Sequence, residues 1–191
     1  MAVAQVKSNV GVLDIEYETF GSPADPTVLL VMGFTAQMIS WPDSFVRMLA
    51  DCGLHVVRFD NRDCGLSSKL DGVPVDVDPV IAAAIAQQSP PPVPYTLSHM
   101  ASDGIGVLDH LGIESAHIVG ASMGGMIVQH MAIEHPSRVR SLTSIMSMTG
   151  ELEYGSPLPE AAAVLLAPPA TNRAENIENS LQYAVWQSKR Y

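Results

Sequence analysis

Basic residues are scarce in this chain. Ten Lys and Arg stand against 20 Asp and Glu, a formal net charge of −10. The cations form no cluster, and Lys189 with Arg190 is a lone pair of charges. A surface of that sign repels nucleic acid and anionic lipid, so neither is an expected partner. Cysteine is nearly absent: Cys52 and Cys64 lack the spacing of metal ligands and are expected to stay reduced. No apolar run is long enough to cross a bilayer, and the first residues show no basic segment followed by an apolar one. A cytoplasmic protein is therefore expected. Phosphate-binding loops and metal constellations are missing too, so neither a metal nor a cofactor is expected.

What the chain does hold is apolar residues, 47% of the total against 16% charged. That is the composition of a globular protein, and 191 residues can bury a sizeable core. The most informative stretch is Ala116 to Met126, A-H-I-V-G-A-S-M-G-G-M. A short apolar run ends at Gly120, Ser122 follows, and an apolar helix begins after it. A serine at the tip of a sharp strand-to-helix turn leaves no room for side chains two residues either side, which calls for Gly120 and Gly124. The helix behind the serine would aim its free N–H groups at an oxyanion. A glycine-rich turn carrying a serine by chance is the bland alternative, and the strand before and helix after favour a nucleophile.

Along the chain, Val3–Val6 and Val12–Phe20 read as a hairpin around Ser8-Asn9-Val10-Gly11, with Val12, Ile15 and Tyr17 as core candidates. Thr27–Met32 is a continuous apolar run, as in a strand covered on both faces. A helix is expected from Trp41-Pro42 to about Ala50, with Phe45, Met48 and Leu49 inward and Gly53 ending it. Leu54–Phe59 is the next strand. Thr96–Leu111 has helical apolar spacing between a Thr cap and Gly112. The helix after Ser122 should run from Met123 to Glu134, and Val139–Met146 should be a further strand. Strands alternating with helices imply an α/β fold, a mostly parallel sheet with helices on both faces. Its site would lie at the strands' carboxyl ends. Residues 69–95 form a long insertion on that rim, with a helical run from Val80 to Gln88. After residue 150, helices are expected over Glu160–Leu166 and from about Ala174 to Ser188. Both segments would cover the rim.

Met32-Gly33-Phe34-Thr35 follows a buried strand. Two backbone N–H groups aimed at one point make an oxyanion hole. Met123, after the serine, would supply one and Phe34 the other, with Gly33 admitting a close approach. Asp60 and Arg62 are expected to pair and hold their loop against the serine turn, and Asp60 stays open as an acid. None of the six histidines falls in a loop after a strand's carboxyl end, where a base for Ser122 would sit.

V-M-G-F-T-A-Q-M-I-S-W-P, R-F-D-N-R-D-C-G-L-S-S and H-I-V-G-A-S-M-G-G-M-I-V-Q together resemble, in order and spacing, the α/β-hydrolase superfamily. Within it the chain is similar to bacterial esterases of the anthracycline methyl esterase kind. The resemblance implies the α/β-hydrolase fold, Ser122 as nucleophile, and an oxyanion hole at Phe34 and Met123. Asp63 stands where the superfamily usually has glycine. The resemblance also implies an acid and a histidine on later strands, and no strand–helix–strand unit follows Val139–Met146. The expectation is therefore an N-terminal part of the core, residues 1–150, and the start of a cap, residues 151–191, with the C-terminal strands missing. Glu151 or Glu153 is left as a substitute acid.

The expected activity is hydrolysis of a small-molecule carboxylic ester through an acyl-enzyme on Ser122. The alternatives are a catalytically incomplete fragment, or cofactor-free perhydrolase or aminopeptidase chemistry at the same serine. Val139–Met146 would be an unpaired apolar edge, so instability or self-association along it is expected.

Overall fold

Alternation organises the first twenty residues. In a computed structural model, which describes residues 1–74, 76–86, 88–151, 163 and 170–188, strands β1 (Ala2–Ser8) and β2 (Gly11–Phe20) pair antiparallel. Gly11, at φ +114°, turns the chain between them. Leu13 and Ile15 are buried opposite Val6 and Ala4, while Val12 is 63% exposed. Successive strand side chains point to opposite faces, so Val12 cannot share the core side with Ile15 and Tyr17, a correction to the core candidates read from the sequence. Tyr17 packs against the core.

The remaining strands are β3 (Thr27–Val31), β4 (His55–Phe59), β5 (Ala116–Ala121) and β6 (Val139–Ile145). The sheet order is β1-β2-β4-β3-β5-β6, with β4, β3, β5 and β6 mutually parallel and β2 antiparallel to β4. All residues of β3 and β4 are buried. Helix α1 (Asp43–Asp51) covers one face, where its Val46 and Trp41 just before it meet Val28, Leu30 and Val56. Its inward residue is Val46, whereas Met48 is 57% exposed, a correction to the expected face. At 100° per residue, Val46 lies with Phe45, Leu49 and Ala50, and Met48 turns to solvent.

Helices α3 (Leu97–His110) and α4 (Met123–Glu134) cover the other face, against Leu29, Val31, Val57, Phe59 and Ile118. Each fully buried Leu or Ile here contributes roughly 1.5–3 kcal/mol of transfer free energy. Helix α2 (Val77–Ile85) lies between β4 and α3 and starts three residues before the expected Val80. Asp76 explains the shift: its carboxylate accepts the Asp78 N–H at 3.2 Å at the helix start.

At the far edge, β6 pairs among the described residues with β5 alone, and six of its seven residues are exposed, Leu142 and Ile145 included. The chain divides into two units, Met1–Gly150 and Glu151–Tyr191. In the second, α5 (Arg173–Ser188) begins behind Asn172. Asn172 Oδ1 accepts the Glu175 N–H, and the Glu175 carboxylate accepts the Thr171 N–H. The expected helix over Glu160–Leu166, Ala163 apart, and the candidate acid Glu153 lie outside the described residues. Among the described residues, no helix is long and apolar enough to cross a membrane.

Candidate active site

The site is built where β5 gives way to α4. Ser122 occupies the single position between them, at φ +55° and ψ −123°. A non-glycine residue in that region is strained and persists only where its surroundings hold it. Here its N–H donates to the Ile145 carbonyl at 2.9 Å, and its own carbonyl accepts the Gly125 N–H at 2.9 Å. The turn is too tight for side chains on either flank. A Cβ on Gly120 would stand 2.2 Å from the Gly124 carbonyl oxygen, and one on Gly124 would stand 2.2 Å from that of Val31. The two glycines let α4 descend directly onto β5 and β3.

The loop after β3 meets this turn. A Cβ on Gly33 would lie 3.0 Å from the Ser122 Cβ and 3.1 Å from the Met123 nitrogen. The structure therefore brings Gly33, Ser122 and Met123 together. Phe34 follows Gly33 directly, its ring 58% exposed, and Thr35 at φ +59° bends the loop away. Among the described residues, neither the Phe34 nor the Met123 N–H has a hydrogen-bond acceptor. Met123 opens a helix whose first N–H groups have no partner within the helix, and these carry its positive end.

The loop after β4 holds this arrangement from beneath, but not in the expected way. Asp60 and Arg62 do not pair. Asp60 is buried, and its two oxygens accept the Met38 N–H at 2.7 Å and the Leu66 N–H at 2.9 Å. Both oxygens are committed to loop backbone, which gives Asp60 a structural task. Arg62 instead reaches α3, where it binds Asp103 twice, at 2.6 and 2.7 Å, both groups buried. Burial pushes the Asp103 carboxyl up, against the pull of Arg62. The loop also braces its neighbour after β3 rather than the serine turn. Asn61 donates to the Met32 carbonyl at 2.8 Å, and the Cys64 thiol lies 3.2 Å from the Ala36 carbonyl. Burial pushes the Cys64 thiol up, so it stays protonated. No spacing rule singled out Asn61, whose task depends on a backbone carbonyl 29 residues away.

Four of the six histidines are engaged elsewhere. His55 opens β4 beside the Thr27 hydroxyl, His117 opens β5 beside Ser141, His130 contacts Glu134 on α4, and His99 accepts the Thr96 N–H at the start of α3. None sits in a loop after a strand's carboxyl end. Among the described residues, no group of His, Cys, Asp and Glu gathers as a metal site.

A family model described as alpha/beta hydrolase fold matches residues 26–182. Rhodomycin D methylesterase DauP of Streptomyces sp. (strain C5) is 35% identical over 145 residues, 76% of this chain and 42% of the relative. The crystal structure of Epoxide Hydrolase A from Mycobacterium thermoresistibile is 27% identical, with a TM-score of 0.56 over 75% of this chain and 38% of that one. A hydrolase from Pseudomonas aeruginosa PA01 superposes with a TM-score of 0.63 at 24% identity, over 94% of this chain and 58% of that one. At that identity the likeness is one of fold. The chain spans less than half the length of the methylesterase relative.

Proposed function

The chain belongs to the α/β hydrolase fold family, and on that premise we propose that it carries the nucleophile and oxyanion hole of a serine hydrolase acting on carboxylic esters of small molecules. The observation that carries the reading is Ser122 at φ +55°, wedged between Gly120, Gly124 and Gly33. Strain of this kind holds a hydroxyl clear of its neighbours. A serine at this turn supports acyl-enzyme chemistry. The Ser122 oxygen attacks the ester carbonyl carbon, the carbon–oxygen bond to the alcohol breaks, and the alcohol leaves with a proton. Water then attacks the acyl carbon and releases the acid and free Ser122. The negative oxygen formed in each half is met by the Phe34 and Met123 N–H groups, and loss of one such donor costs about 10²–10³ in rate. The methylesterase name of a relative 35% identical supports an ester as substrate.

The serine's proton needs an acceptor, and none of the six histidines lies in a loop after a strand's carboxyl end. That observation favours a second reading, a catalytically incomplete hydrolase fold that binds but does not turn over. A fluorophosphonate separates the two. Labelling of the chain that disappears in Ser122→Ala supports an activated nucleophile. A chain that stays unlabelled, with no p-nitrophenyl ester hydrolysis above that of Ser122→Ala, leaves the second reading.

A further inference from the structure

The segment from Lys69 to Tyr95 leaves the loop after β4 and returns to α3, and little of it is buried among the described residues. Val77 and Ile81 stand one turn apart on α2 and both are more than half exposed. Its two stems are held differently. On the outgoing stem, the Asp63 carboxylate accepts the Leu70 N–H at 2.7 Å, and the Lys69 ammonium donates to the Cys64, Gly65 and Ser67 carbonyls. On the incoming stem, Asn9 in the β1–β2 turn donates to the Pro94 carbonyl at 2.8 Å and accepts from Arg62 at 2.9 Å. The Arg62 guanidinium also stacks 4.9 Å from the centre of the Tyr95 ring. We propose that Arg62 and Asp63, adjacent in the chain, clamp the two stems of this segment, and that the clamp sets its position.

Asp63 makes the case specific. It sits at φ +63°, where glycine would be unstrained and an aspartate is tolerated at a cost. A glycine there would relieve the backbone and hold nothing. The aspartate accepts the Leu70 N–H on one stem and faces the Tyr95 phenol on the other, whose titration is pushed up to about 12 by burial and then by the Asp63 carboxylate. Arg62 is fixed by its two bonds to Asp103, so the incoming stem is tied to α3 and to the hairpin at once.

The test is thermolysin cleavage of the whole chain. Asp63→Gly and Asn9→Ala each remove one tie, the first also relieving the φ +63° backbone and the second taking one acceptor from Arg62, and the double variant removes both. Cleavage between residues 70 and 94 is expected to quicken several-fold in each and by about the product in the double, beyond what the measured change in each variant's unfolding midpoint accounts for. In Asp63→Asn, which keeps an acceptor for the Leu70 N–H, the rate should return near that of the parent. The Tyr95 phenol, followed by ultraviolet absorbance against Tyr95→Phe, should titrate lower in Asp63→Gly. A double variant cleaved at the parent rate, or an Asp63→Asn cleaved as fast as Asp63→Gly, overturns the clamp. Fluorophosphonate labelling of the parent reports separately on Ser122, so failure of one reading is not mistaken for failure of the other.

Discussion

A Cβ on Gly124 would stand 2.2 Å from the carbonyl oxygen of Val31, at the carboxyl end of the neighbouring strand. No rotamer change relieves a clash with backbone. Gly124→Ala must therefore lift α4 away from β3 and with it the serine turn. The expected loss is about 3 kcal/mol of stability, read as a lower urea midpoint, together with loss of fluorophosphonate labelling. A variant labelled at the parental rate would mean that the turn tolerates the shift.

Ser122 itself pays a conformational cost at φ +55°. Ser122→Gly removes it and is expected to stabilise the chain by about 1 kcal/mol while abolishing labelling. Ser122→Ala should lose labelling without that gain. Equal midpoints for the two variants would show that the turn carries no strain.

Arg62 and Asp103 are both buried and doubly bonded. Removing one partner leaves an unpaired charge in the core, so Asp103→Leu is expected to cost about 3–5 kcal/mol. Replacing both, as Arg62→Met with Asp103→Leu, should cost less than that single change. Urea unfolding of the three proteins tests the order, and a double variant worse than Asp103→Leu would reverse the argument.

His55 is buried beside Thr27, and burial lowers its pKa from 6.5 against the opposing pull of Asp25. The unfolded ring takes up a proton near pH 6.5 while the folded ring resists it. Stability is therefore full above that pH and falls as the pH drops towards the folded value. Urea midpoints at pH 7.5 and 5.5 should differ less in His55→Val than in the parent. An identical difference would assign the acid sensitivity to other groups.

Among the described residues, strand β6 pairs along one edge only, with Leu142 and Ile145 partly exposed and Arg140 its only charge. Such an edge pairs with another strand where one is available. Light scattering should show an apparent mass rising with concentration, and Leu142→Lys should lower it. A monomer at every concentration would count against pairing through β6.

Much of this was readable from residue order because it depends on near neighbours. Ser122 and its glycines fall within five positions, and the α4 boundaries followed from the apolar run ending before Pro136. The cap at Thr96 and the buried runs of β3 and β4 were equally local. The partners of charged groups were not readable. Arg62 lies two residues from Asp60 and bonds to Asp103, 41 residues on, because α3 packs over the sheet at that point. Asp60 answers backbone N–H groups of two different loops. Val12 and Met48 misled because apolar character alone does not say which face of an element a residue takes.

The sequence by itself determined the elements, the parallel alternation and the serine at the strand-to-helix turn, since propensity, periodicity and turn chemistry act over a few residues. Only the tertiary structure decided that β4 sits between β2 and β3, that Gly33 abuts Met123, and that Asp63 and Arg62 face the two stems of one segment. These are meetings between residues far apart in the chain. They are set by how the layers pack, and packing is a property of the whole sheet rather than of any stretch within it.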